Sequence, residues 1–194
     1  MHWSTATLMF VCIVTAIPLY IPSATAIIGR RELLVTIHVF SGILLPIPIL
    51  IGVAGRQWGL QLRRDLQIIN KWNSEDVSWF RSWGRDPLLR PGKFNAGQKA
   101  NTSFIGGSIL VMLITGIIMH WFSIFPLAWR TGATFVHDLL AFAILIVIIG
   151  HITYAIRYPA TIRAITTGKV SRDWAQEHSP SWQEHPIEDR EHQE

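Results

Sequence analysis

The chain has 194 residues, of which 49% are hydrophobic and only 15% are charged. Its mean hydropathy of +0.30 is unusual for a water-soluble domain, so a soluble globular fold is not expected. The net charge is +4, but the basic residues lie outside the long apolar blocks and are interspersed with acidic ones. Membrane topology and anionic lipid explain this charge better than nucleic acid does.

Charged residues are excluded from four apolar blocks, each about long enough to cross a bilayer as a helix, which takes ~20 residues. The first block lacks the basic start of a secretory signal, so we expect a retained helix. We predict an all-α membrane protein whose residues 1–156 form a four-helix transmembrane bundle, with a polar tail over 157–194. The predicted spans are 3–19, 33–53, 102–122 and 132–154, with a long loop over 54–101.

The distribution of Lys and Arg predicts the orientation of the bundle. The loop over 54–101 contains nine of these residues and the tail contains five, whereas the opposite side of the membrane has three. By the positive-inside rule, the long loop and both termini are cytoplasmic. From about Asp173 the tail is polar and acidic without an apolar period, so we expect it to be mobile unless a partner orders it.

Four histidines inside or beside the spans are predicted to carry the chemistry. His38 and His137 each lie about five residues from the outer end of their spans, at matching depth. His151 follows His137 by fourteen residues, which is ~21 Å along nearly the same helix face. His2 begins the first span on the inner side, level with His151. We predict an outer pair of His38 with His137 and an inner pair of His2 with His151.

Haem suits these pairs better than zinc does. Two neutral imidazoles on facing helices supply the two axial ligands of a haem iron, whereas zinc normally takes three or four protein ligands. Asp138 is the one additional candidate ligand at those depths. The single cysteine, Cys12, lies inside the first span, so covalent c-type attachment through CxxCH is excluded.

Simpler interpretations of the histidines and of the glycines in the spans stay open. A histidine in a membrane helix often has a structural or hydrogen-bonding role. Glycines that could make room for a macrocycle could equally allow close helix packing. These glycines are Gly42, Gly106, Gly107 and Gly116.

Several short motifs resemble a known family. The segment GKFNAGQK over 92–99 is the most specific, and TAIPLY over 15–20 differs from the family pattern at Ala16, where glycine is usual. The tail segment HSPSW over 178–182 has a serine in place of the second histidine. Further matches are HW at 2–3, HVFSG at 38–42 and HD at 137–138, where the family usually has His-Glu. The chain resembles the b-type cytochrome (gamma) subunit of respiratory formate dehydrogenases, within the bacterial cytochrome b561 superfamily.

The resemblance implies a bundle in the bacterial inner membrane holding two b haems, with His2, His38, His137 and His151 as axial ligands. It implies that an iron-sulfur subunit delivers electrons to the outer haem, and that the inner haem passes them to menaquinone or another quinone. The formate-oxidising chemistry would belong to a separate molybdenum or tungsten subunit. No catalytic residue is therefore expected in this chain.

The resemblance also implies a quinone site near the cytoplasmic face, formed by Asn95, Gly97 and Gln98 with His151 adjoining. The amides can hydrogen-bond to a quinone carbonyl, and glycine permits close approach of a ring. Asn95 before a helix start is also a good capping residue whatever binds there. We expect this segment both to cap the helix and to contact a quinone.

Two alternatives stay open. The same electron-transfer role could serve a hydrogenase, a thiosulfate reductase or another molybdoenzyme. From a different class, the chain could be a haem-free membrane anchor or transporter, which would show no Soret band. The sequence contains no ferredoxin cysteine set, Rossmann glycine pattern or hydrolase motif.

Overall fold

A computed structural model describes residues 1–57 and 59–182. Within these residues the secondary structure is helical and no strand is present, which confirms the predicted all-α class. The helices are α1 (His2–Tyr20), α2 (Pro22–Ile28), α3 (Arg31–Leu44), α4 (Ile47–Ala54), α5 (Leu60–Ile69), α6 (Ser74–Ser82), α7 (Ala96–His120), α8 (Leu127–Arg157), α9 (Pro159–Thr167) and α10 (Arg172–His178).

Four helical segments are long and apolar enough to cross a membrane, which confirms the predicted number of spans. They comprise α1, α3 with α4, α7 and α8, and their ranges are His2–Tyr20, Arg31–Ala54, Ala96–His120 and Leu127–Arg157. The third begins at Ala96, six residues before the predicted span, because polar residues at its start form a helix cap that hydropathy does not register.

The second span is not one regular helix. α3 ends at Leu44 and α4 begins at Ile47, with the amide of Leu45 3.4 Å from the carbonyl oxygen of Gly42. Pro46 has no amide hydrogen to donate and its ring interferes with the preceding turn, so the regular ladder stops there. Pro48 then lies in the first turn of α4, where proline is well tolerated.

The surface of the spans is apolar and several buried positions are polar, the reverse of a soluble domain. Phe10 and Phe142 are 64% and 63% exposed, whereas Thr15 and Thr115 are 6% and 7% exposed. A lipid environment removes the cost of exposing apolar side chains, and small polar side chains commonly lie between membrane helices. The chain is therefore a membrane protein.

The described residues form two compact units. The first consists of Met1–Arg63 and Ile105–Ile146, and the second of Arg64–Phe104 and the described residues from Val147 onward.

In the first unit, α1 packs along α3. The guanidinium of Arg63 closes the far end of the second span by donating to the carbonyl oxygens of Val53, Gly55 and Arg56 at 2.6–2.8 Å. The last carbonyls of a helix lack partners within the helix, so this side chain satisfies groups that α4 leaves open.

In the second unit, a side-chain cap starts α6. The side-chain oxygen of Asn73 accepts from the amide of Asp76, and the Asp76 carboxylate accepts from the amide of Asn73, both at 3.0 Å. This reciprocal capping box satisfies two amides that the first turn of a helix leaves unpaired.

The described part of the tail, up to Trp182, contains the helix α10, which its polar composition did not predict. The side chain of Ser171 caps α10, and the ring of His178 stacks on that of Trp174 with ring centres 4.8 Å apart. The ammonium of Lys93 lies 5.6 Å from the centre of the Trp182 ring. Polar composition concealed these aromatic and cation contacts. Residues 183–194 of the predicted tail lie outside the described residues.

Candidate functional site

Two histidines from different membrane helices face each other in the first unit. His38 projects from α3 and His137 from α8, and their ring centres are 6.3 Å apart with 61° between the ring planes. The structure therefore brings the two members of the predicted outer pair together.

The separation of the two rings is suited to a shared metal ion. An imidazole nitrogen lies ~2 Å from a metal that it binds and ~1.2 Å from the centre of its ring, so two imidazoles on opposite sides of one metal have ring centres about 6.4 Å apart. The 6.3 Å between His38 and His137 agrees with this value. One haem iron could therefore be held between these two imidazoles.

The hydrogen bonds of His38 define which of its nitrogens can bind a metal. Its Nδ1 lies 3.1 Å from the carbonyl oxygen of Cys12 and 3.0 Å from Oγ1 of Thr15. A carbonyl oxygen can only accept, so Nδ1 carries the hydrogen and donates it. Nε2 then keeps its lone pair, as a metal ligand requires.

His137 has a matching arrangement on the other pair of helices. Its Nδ1 lies 2.9 Å from Oγ1 of Thr115, and the Thr115 hydroxyl donates in turn to the carbonyl oxygen of Val111 at 2.8 Å. With its hydrogen engaged, the hydroxyl oxygen is the acceptor for Nδ1–H, and Nε2 of His137 also keeps its lone pair.

The two threonines were missed as site residues by the sequence reasoning. Each lies in an apolar span, and Thr15 precedes His38 by 23 residues while Thr115 precedes His137 by 22. This similar spacing between threonine and histidine is the sequence feature that could have identified the two threonines. It is weak because most threonines in these helices, such as Thr134, donate to a backbone carbonyl one turn earlier without reaching a histidine.

The glycines predicted to make room for a macrocycle differ in their surroundings. A Cβ added to Gly116 would lie 3.6 Å from Cε1 of His137, so this glycine adjoins the pair. At Gly42, Gly106 and Gly107 an added Cβ would meet no atom of the described residues within 4 Å. Close helix packing is thus not what requires glycine at those three positions.

The predicted inner ligands lie in different units. His2 is the first residue of α1 and its ring contacts that of Trp3 edge-on, with centres 5.3 Å apart. The preceding Met1 packs against Gly52 in α4, at the end of the second span opposite to His38. His151 is exposed in the second half of α8. The pairing of His2 with His151 stays a prediction.

The predicted quinone loop forms a helix cap at the start of α7. The side-chain oxygen of Asn95 accepts from the amide of Gln98 at 2.9 Å, and the side-chain oxygen of Gln98 accepts from the amide of Asn95 at 3.0 Å. This is a capping box, so the alternative that the sequence left open for Asn95 is confirmed. Both amide NH₂ groups can still donate elsewhere.

Gly97 has a packing role in the same turn. A Cβ added there would lie 2.5 Å from Cη2 of Trp79, closer than real side chains approach. The indole of Trp79 thus occupies the space that any larger residue at position 97 would need.

A buried ion pair lies next to this cap and was not predicted. Nζ of Lys99 lies 2.9 Å from Oδ2 of Asp76 and donates to the carbonyl oxygen of Lys71 at 2.9 Å. A cleft of about 40 Å³ beside it, lined by Asp76, Trp79, Asn95 and Lys99 among others, has room for a few water molecules but not for a quinone ring. We therefore interpret the Lys99–Asp76 ion pair as a structural contact.

Within the residues described, no group of three or more His, Cys, Asp or Glu side chains is placed to hold a metal ion. The facing imidazoles of His38 and His137 would supply two protein ligands, which is the number that a b haem takes from its protein.

Comparison with known proteins connects this geometry to a family. The family described as "Prokaryotic cytochrome b561" matches residues 1–168. The formate dehydrogenase cytochrome b556 subunit of Haemophilus influenzae is 28% identical over 190 residues, covering 93% of this chain and 77% of the relative. The cytochrome b556(fdo) subunit of the Escherichia coli K12 formate dehydrogenase is 26% identical over 192 residues, covering 93% and 86%.

A shorter match is higher in identity. The cytochrome b556(Fdn) subunit of the nitrate-inducible formate dehydrogenase of Escherichia coli K12 is 33% identical over 94 residues, which are 47% of this chain and 43% of the relative. The match over 1–168 takes in all four spans and both facing histidines. The chain belongs to the prokaryotic cytochrome b561 family and is a membrane cytochrome b, a class of protein that binds haem b.

Proposed function

We propose that this chain is the membrane-anchoring, di-haem cytochrome b subunit that passes electrons from a formate dehydrogenase to a quinone. The observation that carries the proposal is the facing pair of His38 and His137, with both Nδ1 atoms engaged and a ring separation suited to one iron between them. A b haem held there supplies one-electron transfer within the membrane.

At the outer level, the chain's contribution is to hold two neutral imidazoles in place. Thr15 and the Cys12 carbonyl orient His38, and Thr115 orients His137. The flanking α-helices satisfy their own backbone groups, so the site can lie in the hydrocarbon region without exposing unpaired amides.

At the inner level, we propose His2 and His151 as the second pair of axial ligands. His151 follows His137 by fourteen residues in α8, and the ~21 Å of helix between them supports a second level at that depth. The packing of Met1 against Gly52 supports a position for His2 near the cytoplasmic end of the second span. Electrons would then enter at the outer level and leave at the inner level.

For quinone binding we propose Asn95, Gly97 and Gln98. Their capping box uses the side-chain oxygens, which leaves the NH₂ groups of both amides to donate to a quinone carbonyl. Because the cleft behind this turn holds only a few water molecules, the quinone would contact the turn from outside this cleft. Menaquinone is the expected substrate.

The relatives' names support the assignment of the partner enzyme. The three relatives described above are named as cytochrome subunits of formate dehydrogenases. We therefore propose an iron-sulfur subunit as the direct electron donor and a molybdenum or tungsten subunit as the catalytic partner. This favours formate dehydrogenase over the hydrogenase and thiosulfate reductase alternatives.

The distribution of basic residues supports an orientation in the bacterial inner membrane. Fourteen Lys and Arg residues lie in the long loop and tail, against three in the short loops. The positive-inside rule then puts both termini and the proposed quinone loop in the cytoplasm, and the His38–His137 level near the outer face.

Absorption spectroscopy of the full chain purified in detergent tests the proposal. We expect a Soret band that sharpens and shifts on dithionite reduction, and two haems per chain by pyridine haemochrome assay. One haem per chain would contradict the inner pair. The absence of a Soret band from protein expressed with ample haem would refute the proposal and favour a haem-free membrane anchor.

A further inference from the structure

We propose that Thr115 and Thr15 are positioning residues that set the reduction potential at the outer level, and that Thr115 has the larger effect. This inference rests on the proposed function, because it requires a haem between His38 and His137. It goes beyond that function in assigning a role to two hydroxyl groups that do not touch the iron.

The hydrogen bond between each threonine and its histidine has a defined direction. Both threonine hydroxyls donate their hydrogen to a backbone carbonyl of their own helix, at 2.7 Å from Thr15 to Val11 and 2.8 Å from Thr115 to Val111. A hydroxyl hydrogen can serve one strong bond, so the oxygen of each threonine faces its histidine as an acceptor.

An acceptor at this position changes the properties of a metal-bound imidazole. An acceptor at Nδ1–H fixes the tautomer and orientation of a metal-bound imidazole and raises the basicity of its other nitrogen. A more basic axial ligand favours the ferric over the ferrous state, which lowers the reduction potential. Removing the acceptor should therefore raise the potential.

The two histidines differ in the acceptors at Nδ1. Nδ1 of His38 has two acceptors, Thr15 Oγ1 at 3.0 Å and the Cys12 carbonyl oxygen at 3.1 Å. For His137 the described contact at Nδ1 is Thr115 Oγ1 at 2.9 Å. Loss of the Thr15 hydroxyl leaves the carbonyl in place, whereas loss of the Thr115 hydroxyl leaves a half-buried N–H without that acceptor.

Because both threonines are buried, loss of either hydroxyl should change the reduction potential more than it would at a surface. Thr115 and Thr15 are 7% and 6% exposed. Water therefore cannot readily replace either hydroxyl oxygen, and a hydrogen bond lost in a low-dielectric interior is not compensated by solvent.

The test is a redox titration of the full, haem-loaded chain carrying Thr115→Val, which keeps the shape of the side chain and removes the hydroxyl. We expect one of the two haem components to titrate at a higher potential and the other to stay in place. A tenfold change in the ferric-to-ferrous preference corresponds to ~59 mV for a one-electron couple. Thr115→Ser restores the hydroxyl and should return the potential toward the original value.

Matched variants identify the cause of a shift. Thr15→Val should move the same component by less, because the Cys12 carbonyl remains. Thr134 lies one turn from His137, and its hydroxyl donates to the Arg130 carbonyl. Thr134→Val should therefore leave the potentials of both haem components unchanged. Loss of the outer haem from Thr115→Val but not from Thr115→Ser would also support the inference, since it shows that the hydroxyl holds the ligand.

Several results would overturn the inference. They are a titration of Thr115→Val that superimposes on the original, an equal shift in Thr134→Val, or loss of haem from both Thr115→Val and Thr115→Ser. These outcomes leave the proposed function intact. An unmodified chain without any haem would overturn both.

Discussion

The ammonium group of Lys99 lies 2.9 Å from a carboxylate oxygen of Asp76, and the two side chains are only 8% and 7% exposed. The pair ties the first turns of α7 and α6 together inside the second unit. Asp76 also closes the capping box of α6, so one carboxylate serves both helices.

Replacing Lys99 by methionine should destabilise this region strongly. The substitution leaves the Asp76 carboxylate buried without its cation, and breaking a buried pair by removing one partner costs ~3–5 kcal/mol. We expect a clear fall in the thermal unfolding midpoint in detergent and faster proteolysis within residues 64–95.

The matched control is Lys93→Met. Lys93 pairs with Asp65, but these side chains are 20% and 21% exposed, so solvent screens this pair more and its loss should cost less than loss of the buried pair. Equal effects of the two substitutions would contradict the assignment of a structural role to the buried pair.

Replacing either member of the facing pair should remove about half of the haem. His38→Ala and His137→Ala each leave one axial position without its imidazole, so the outer haem should be lost while the inner one stays. His120→Ala is the control, because His120 ends α7 and its ring contacts Trp121 instead of another histidine. Two haems retained in His38→Ala would show that the pairing is wrong.

Gln98→Glu separates the proposed quinone contact from helix capping. Glutamate keeps the side-chain oxygen that accepts from the Asn95 amide, but has no NH₂ group to donate. Losing one hydrogen bond worth ~1 kcal/mol should slow quinone reduction at least roughly fivefold, with haem content unchanged. Gln98→Ala should add a loss of stability of ~1 kcal/mol from the cap. Unchanged quinone turnover in both variants would reduce the loop to a helix cap.

Gly97→Ala should destabilise the second unit. The new methyl group would lie 2.5 Å from the Trp79 ring, and overpacking of this kind costs ~1–3 kcal/mol. Gly132→Ala is the control, since an added Cβ there meets no described atom within 4 Å. The smaller ring of Trp79→Phe should partly rescue Gly97→Ala in unfolding measurements. Equal stability of Gly97→Ala and the unmodified chain would contradict the packing role.

The proposed direction of electron flow can be measured in sealed vesicles of known orientation. Electrons entering outside and protons taken up inside during quinone reduction would build a membrane potential, each charge working against ~2.3 kcal/mol per 100 mV. Turnover should therefore change the signal of a potential-sensitive dye. Turnover without a potential, or haem reduction only by an impermeant donor on the cytoplasmic side, would reverse the assignment.

The sequence by itself determined the class of fold and the pairing of His38 with His137 in depth. Long blocks without charge can fold stably in a bilayer only as helices that satisfy their own backbone groups, so hydropathy alone was sufficient to predict four spans. The matching depths of His38 and His137 follow from the constant rise of a helix, and the prediction that they pair was based on this shared depth.

Contacts between distant residues could not be obtained in this way. The hydroxyls of Thr15 and Thr115 reach their histidines, and Gly97 meets Trp79, because particular helix faces turn toward each other. Hydropathy and rise set the depth of a residue but not the rotation of its helix about its own axis. The early start of α7 and the folded tail up to Trp182 were missed for a related reason, since polar side chains there are satisfied by specific partners that composition does not reveal. Depth in the membrane was thus a property of the sequence, and the choice of partner at each depth was a property of the packed helices.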